Sequence, residues 1–157
     1  MTDPFSDTNP IESAITAARE AARRKDYSAA LCSLQGVSDQ PYLPDKYFLL
    51  KARLIQSSDG AKYSLDDSRV ALERALALSP DNAEILSELG FFHSRVAPDK
   101  YKGQDYFRRA LDRLRFFYKE TICGLVDEMW RESVEPDNII EEEIAKLRKD
   151  IQKEIET

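Results

Sequence analysis

The stretch that most limits the possible fold is ALERALALSPDNAEILSELGFFHSRV, residues 71–96, because it contains two helical patterns separated by a turn. Pro80 ends the first pattern, since proline has no N–H to donate and disfavours helical geometry in the residue before it. Asn82 or Asp81 can cap the second. Apolar residues recur at helical spacing on both sides: Ala71, Leu72, Ala75 and Leu78 first, then Ile85, Leu86, Leu89 and Phe92. The segment predicts two adjacent helices that approach closely at Ala75 and Gly90.

This arrangement resembles a tetratricopeptide repeat, a helix–turn–helix unit of about 34 residues with the pattern W-x2-L-G-x2-Y, then A-x3-F and a closing proline. Leu86-x2-Leu89-Gly90-x2-His93 is similar to the first half of that pattern. Ser68-x3-Leu72-x2-Ala75-x4-Pro80 is similar to the second half of the preceding unit. The resemblance implies an all-α fold, a tetratricopeptide-like solenoid of about three repeats with a capping helix and a C-terminal amphipathic helix.

Weaker matches extend the repeat pattern over about residues 11–115. The first unit is predicted as helices over 11–25 and 28–37, joined by a turn at residues 26–28, and the second begins near Asp45. A loop at 57–64 precedes a helix over 65–78, and the third unit begins at Asp81 and turns around 98–103. Because such units bury a continuous core only by stacking, about three are needed for a stable domain.

Beyond Ala110 the helical period continues without the repeat pattern, in a stripe that indicates a capping helix: Leu111, Leu114, Tyr118, Ile122, Leu125 and Met129. Whether residues 104–131 form one helix or two stays open. Residues 100–119 hold seven basic and two acidic residues, and residues 120–143 hold nine acidic and one basic. This order opposes the helix macrodipole. Either the helix breaks near Lys119, or the charges serve a partner.

The C-terminal segment predicts a separate amphipathic helix over 139–156. It follows the stop signal at 135–138 and carries an apolar seam: Ile140, Ile144, Leu147, Ile151 and Ile155. Three roles remain open, namely docking on the same chain, homodimer formation through the seam, and ordering on a different partner. The predicted organisation is a disordered lead-in over 1–10, a repeat domain with capping helix over 11–134, and the amphipathic helix over 135–157.

Composition and motifs favour a non-enzymatic cytoplasmic protein. The formal charge of −6 argues against nucleic-acid binding, and neither a membrane span nor a signal peptide is predicted. Cys32 and Cys123 are predicted to be buried thiols, and His93, the single histidine, falls at a packing position. No metal-ligand spacing, Gly-rich phosphate loop or nucleophile motif is found, so we expect no catalytic residue, cofactor or metal.

The resemblance implies a concave groove, lined by the first helix of each unit, that holds an extended peptide. Transferred by repeat spacing, the groove residues are Arg19, Arg23, Lys46, Leu49, Arg53, Phe91 and Arg95. Five of these are basic, which favours an acidic or carboxylate-ended peptide, because arginine binds carboxylates in a bidentate manner. The asparagines that carboxylate-clamp members of the family use are absent from the matching positions.

An alternative hypothesis uses the acidic residues 120–143. Small acidic proteins can neutralise basic partners, as immunity-type inhibitors of toxins and some chaperones of secreted proteins do. The residues of this alternative surface are Glu128, Trp130, Glu132, Glu141 and Glu142, with the tryptophan as an aromatic anchor.

Overall fold

The computed structural model describes residues 9–58, 62–96, 99–131, 141–142, 144–146 and 148–149. Every regular element within these ranges is helical, which confirms the all-α prediction. A π-helical turn, Phe92–Val96, directly continues the fifth helix. The α-helices are α1 (Pro10–Arg23), α2 (Tyr27–Gln35), α3 (Asp45–Ser57), α4 (Leu65–Leu78), α5 (Ala83–Phe91) and α6 (Lys100–Arg131).

The chain divides into two compact units, residues 1–111 and 112–157, and α6 runs from the first into the second. The first unit contains α1–α5, the π-helical turn and the beginning of α6. Among the described residues, no helix combines the length and the apolar character that a membrane crossing requires.

Helices α1 and α2 pack as a pair with buried alanines on both helices. Ala18 and Ala30 are completely buried, so the two helices can approach closely. The Asn9 side chain caps α1 by accepting a hydrogen bond from the Ile11 amide, at 3.0 Å. Asp26 caps α2 in the same way, accepting from the Ala29 amide at 3.0 Å. Each helix therefore begins where its own sequence supplies a cap.

Helices α3 and α4 form the next pair, with hydrogen bonds that tie α3 to both neighbours. The Tyr47 hydroxyl donates to the Leu34 carbonyl of α2 at 3.2 Å. On the α4 side, the hydroxyl of buried Ser68 donates to the Ala52 carbonyl and accepts from the Gln56 amide. Ser64 and Asp67 form a reciprocal capping box at the start of α4.

Helix α5 packs against the beginning of α6 at two glycines. A Cβ atom on Gly90 would lie 2.7 Å from the Phe107 ring, and one on Gly103 would lie 2.5 Å from the Ser94 hydroxyl. Both distances are far shorter than ordinary contacts, so these helices can approach this closely only because neither position carries a side chain. Ala75 of α4 is completely buried, as expected for a close helix contact.

The predicted helix over 65–78 is confirmed, and Asn82 is the cap of α5, accepting from the Glu84 amide at 3.0 Å. Residues 104–131 belong to one continuous helix. The predicted turn around 98–103 extends too far, because α6 already begins at Lys100.

The prediction of buried thiols is wrong, because Cys32 and Cys123 are both exposed. Cys32 lies on α2, whose buried face is formed by Ala30, Leu31 and Leu34. A helical pattern alone therefore did not tell which side of the helix each thiol occupies.

Other predictions concern residues outside the described ranges. These are most of the lead-in over 1–10, the boundary at 134–135 and large parts of the predicted helix over 139–156. The described residues of that last segment, 141–142, 144–146 and 148–149, are helical.

Candidate partner-binding surface

The first helices of the three predicted units, α1, α3 and α5, are linked by ion pairs between their side chains. Lys46 of α3 pairs with Glu12 of α1. Arg53 of α3 pairs with Glu84 of α5 at 2.8 Å and with Glu88 at 2.6 Å. These contacts place one row of alternating charges across the three helices, and we call it the first-helix surface.

Arg53 is the most strongly engaged residue of this surface. Its Nε donates to Glu88 at 2.7 Å, and its Nη1 donates to Glu84 at 2.8 Å. Partial burial opposes the charged form of the guanidinium, but the hydrogen bonds and charges of Glu88 and then Glu84 raise the pKa of Arg53 above its ordinary value. Arg53 therefore stays charged and is already occupied by two carboxylates.

Two other predicted groove residues, Phe91 and Arg95, lie together at the end of α5. The Arg95 guanidinium lies over the Phe91 ring, 4.9 Å from its centroid, and Phe91 packs edge-to-face on Phe107 at 5.0 Å. Phe91 is nevertheless 42% exposed. A cavity of about 310 Å³ opens here, lined by Gln56, Glu88, Phe91, Arg95 and Val96. It offers an apolar ring beside both a cation and a carboxylate.

Arg19 and Arg23 lie in the last two turns of α1, and both are exposed. Within the described part of the chain, neither forms an ion pair with a carboxylate. Their guanidinium groups are therefore accessible to an acidic ligand. Arg23 also lies in the last turn of its helix, where a cation is favoured by the macrodipole.

The placement of Leu49 on an accessible groove needs correction. Leu49 is only 6% exposed and belongs to the core cluster formed with Ala52, Ala71, Leu72 and neighbouring residues. A leucine beside the completely buried Ala52 is covered by α4 and its surroundings, so it stabilises the fold and offers no contact to a partner.

The alternative acidic surface is described only in part. Glu128 and Trp130 lie on α6, but the positions of their side chains are outside the described structure, and Glu132 is outside it completely. Glu141 and Glu142 lie in a helical segment and are exposed. The structure thus places two of the five residues at an accessible surface.

The sequence reasoning missed the carboxylates that neutralise the predicted basic residues. In the predicted repeat spacing, equivalent positions are held by Glu12, Lys46 and Glu84, so their alternating sign could have been predicted from the sequence. Glu88 follows Glu84 by one helical turn and therefore presents a second carboxylate on the same side. The first-helix surface is consequently mixed in charge, with its accessible cations toward the ends of the row.

The single histidine, His93, lies in an aromatic contact within the first unit. His93 is buried and stacks on Tyr106 with a centroid distance of 5.6 Å, in contact with Phe92 on another side. Burial, and then the Lys102 ammonium, lower the pKa of His93 below its ordinary value. Among the described residues, no three histidine, cysteine, aspartate or glutamate side chains form a metal site.

No protein-family model matches this sequence, and no curated protein matches it.

Proposed function

We propose that this chain is a non-enzymatic binding module whose helix pairs stack as a tetratricopeptide-like solenoid, with the first-helix surface as the place where a peptide or protein partner binds. The observation that carries the proposal is the ion-pair row from Glu12 through Lys46 and Arg53 to Glu84 and Glu88. It links α1 to α3 and α3 to α5, which supports the proposal that these three helices line a common groove.

The partner that this surface fits best is a short acidic segment with an apolar anchor. Arg19 and Arg23 can bind carboxylates, while the cavity beside Phe91 and Arg95 can receive an apolar side chain. Bidentate contacts of arginine with carboxylates add geometric specificity to the electrostatic attraction. Arg53 contributes less than the sequence suggests, because a ligand carboxylate must displace Glu84 or Glu88 to reach it.

Fluorescence polarisation with a matched pair of labelled peptides tests this proposal. One peptide carries several Asp and Glu residues around a single Leu, and the other replaces each carboxylate with the corresponding amide. We expect the full chain to bind the acidic peptide at least about tenfold more tightly. Equal binding of the two peptides, or binding of neither, would contradict the proposal.

Two double variants locate the binding surface. Arg19→Glu with Arg23→Glu removes the accessible cations of α1, and we expect it to abolish the preference for the acidic peptide. Arg24→Glu with Lys25→Glu makes the same change in charge at the adjacent exposed positions. If this control loses binding to the same extent, the interaction depends on net charge and not on the first-helix surface.

A second candidate function is the acidic inhibitor or chaperone that acts on a basic protein. It is favoured by the exposed Glu141 and Glu142, which lie in a segment rich in carboxylates. Glu141→Lys with Glu142→Lys would abolish binding of a basic partner but leave the acidic-peptide preference intact. The reverse result, loss with the α1 variant alone, supports the first candidate.

A further inference from the structure

A groove separate from the first-helix surface lies between α4 and the segment that joins α2 to α3. We call it the connector groove. Its cavity of about 500 Å³ falls in the size range of sites that hold small ligands or peptide side chains. Most of its lining is apolar, and this part is formed by Pro41, Tyr42, Leu43, Phe48, Ala77 and Leu78.

The two sides of the connector groove present large apolar groups to the outside. Tyr42, on the joining segment, is 86% exposed, and Leu78, at the end of α4, is 54% exposed. Phe48 of α3 lies between them in the lining and is half-buried. Apolar groups that are exposed together beside a cavity usually mark a place where another molecule binds.

Arg74 of α4 is the single charged residue among those that line the connector groove. Its guanidinium lies over the Phe48 ring, 5.9 Å from the centroid. Within the ranges that the structure describes, Arg74 forms no ion pair with a carboxylate, in contrast to Arg53. The cavity beside Phe91 contains a carboxylate, but the lining of the connector groove contains none. The groove therefore favours an apolar group beside one negative charge, which arginine can bind in a bidentate manner.

The joining segment also offers main-chain groups. Residues 40–44 belong to no helix. The amide and carbonyl groups of Tyr42 and Leu43 form no hydrogen bond with any described part of the chain. Main-chain groups that are not paired within a protein bond to water or to a ligand, and an extended peptide can bond to them with its own main chain.

We propose that the connector groove binds an extended peptide segment of another protein, with an apolar side chain against Phe48 and Leu78 and a carboxylate at Arg74. The main chain of the peptide pairs with the amide and carbonyl groups of Tyr42 and Leu43. Alternate side chains of an extended peptide point to the same side, so the apolar and the acidic residues stand at alternate positions. The proposal does not rest on the proposed function, which concerns the surface formed by α1, α3 and α5.

A peptide fits this groove better than a small carboxylic acid or a membrane does. A small molecule supplies the apolar group and the charge, but it leaves the main chain of Tyr42 and Leu43 without a partner. An anionic bilayer would meet a single cation in the groove and would be repelled by the net charge of −6. An extended peptide uses the apolar lining, the cation and the main-chain groups together.

Fluorescence polarisation with two labelled peptides, both amidated at the C-terminus, tests the charge requirement. In the first, leucine alternates with serine and one aspartate takes the place of the last leucine. In the second, asparagine replaces that aspartate. We expect the full chain to bind the aspartate peptide at least about fivefold more tightly, because Arg74 loses its charged partner in the asparagine peptide. Equal binding of the two peptides, or binding of neither, would overturn the proposal.

Three single variants assign the binding to the connector groove. Arg74→Gln should abolish the preference for the aspartate peptide, and Leu78→Ser should weaken binding of both peptides about tenfold. Both residues are exposed, so the variants should keep the helical circular dichroism of the wild type. Arg19→Gln makes the same change in charge on the first-helix surface and should bind like the wild type. A preference that survives in Arg74→Gln, or that Arg19→Gln removes equally, would overturn the assignment.

An amide correlation spectrum of the isotope-labelled chain shows where the aspartate peptide lies. The amide signals of Tyr42 and Leu43 should be among those that shift most during the titration. Shifts confined to α1 and α5 would overturn the connector groove as the site, while they would support the proposed function. The two proposals can therefore fail separately.

The other possible occupants are tested by competition and by sedimentation. N-acetyl-leucine carries the same apolar and acidic groups without an extended main chain, so it should not displace the aspartate peptide below about 1 mM. Displacement at the concentration of the peptide itself would assign the groove to a small molecule. In analytical ultracentrifugation, Leu78→Ser should sediment like the wild type. A wild-type dimer that this variant loses would make the groove an interface between copies and overturn the proposal.

Discussion

Helices α3 and α4 and the later part of α6 contain similar apolar residues, but the burial of these residues differs. In the α3–α4 pair, Ala52, Leu72 and Ala75 are completely buried, and Ser64 with Asp67 caps the second helix. In α6, residues 111–121 are all exposed, although five of them are large apolar residues. The first region buries one apolar side, although Leu65, Val70 and Leu78 of α4 stay exposed, whereas residues 111–121 of α6 bury none of their apolar groups.

This difference shows that apolar periodicity and burial are separate properties. A stripe at helical spacing predicts a helix with an apolar side, but what covers that side depends on the rest of the fold. In α4 the local signals, the cap and the packing all favour the same structure. In α6 the apolar residues Leu114, Phe116 and Phe117 are exposed, so helical spacing is not accompanied by burial there.

A leucine-to-alanine substitution in each region should give the largest difference in the free energy of unfolding. Leu72→Ala removes a completely buried side chain and leaves a cavity, so we expect a loss of about 3 kcal/mol in the free energy of unfolding. Leu114→Ala in dilute solution should cost less than about 1 kcal/mol, because Leu114 is already half exposed. Urea unfolding measures both. Equal losses of stability in the two variants would contradict the difference in burial between the two regions.

Two glycines provide the next test. Gly90→Ala should destabilise the chain by about 2 kcal/mol, because the new Cβ would overlap the Phe107 ring. Gly124→Ala should stabilise α6 by about 0.5–1 kcal/mol, since a Cβ there would meet no atom within 4 Å beyond the local helix backbone, and alanine favours a helix. Thermal unfolding of the two variants should shift in opposite directions. A stable Gly90→Ala variant would show that α5 and α6 do not pack as closely as described.

The N-terminal cap of α4 tests how much a local sequence signal contributes to the stability of the first region. Ser64→Ala removes the hydroxyl that accepts from the Asp67 amide, while the backbone amide of residue 64 can still donate to the Asp67 carboxylate, and should cost about 1 kcal/mol. Ser64→Asp keeps an acceptor at the same position, so it should recover most of the loss in urea unfolding. If both variants unfold like the wild type, the capping box contributes nothing to stability.

The smallest effect concerns His93. Because burial and then Lys102 lower its pKa, the neutral imidazole stabilises the fold fully above the ordinary value of 6.5, and this contribution is lost as the pH falls toward the folded-state pKa. Asp99 and Glu73 oppose the shift, and Arg69 adds to it.

We therefore expect the urea midpoint of unfolding to decrease as the pH is lowered from about 7.5 to about 5.5. The decrease should be smaller in His93→Phe. His93 is the single histidine, and the variant keeps an aromatic ring beside Tyr106 while removing the titration. The same pH dependence in both chains would show that His93 does not contribute.

The sequence predicted the local features of the fold well and the environment of its surfaces poorly. The cap at Asn82 and the helix over 65–78 follow from residue chemistry within a few positions. Gly90 does lie at a close contact, but its neighbour is Phe107 of α6, whereas the sequence predicted the preceding helix. The burial of Leu49 and the exposure of both cysteines depend on which neighbouring helix covers each side, and helical spacing does not contain that information.

The candidate partner-binding surface was also predicted only in part, because its contacts depend on neighbouring helices. The sequence identified Arg53, Phe91 and Arg95 as surface groups, and the structure places the last two together at one cavity. The sequence did not reveal that Arg53 binds the carboxylates of Glu84 and Glu88, because those residues are more than 30 positions away in the chain. Pairing between distant residues is a property of the packed helices.

Hydrogen exchange of the wild-type chain tests the contrast in burial most directly. We predict strong protection of α3 and α4 amides, because the two helices bury a shared apolar core. Amides of residues 112–121 should exchange faster, because the side chains of these residues are exposed. Protection of residues 112–121 equal to that of α3 and α4 would contradict the account.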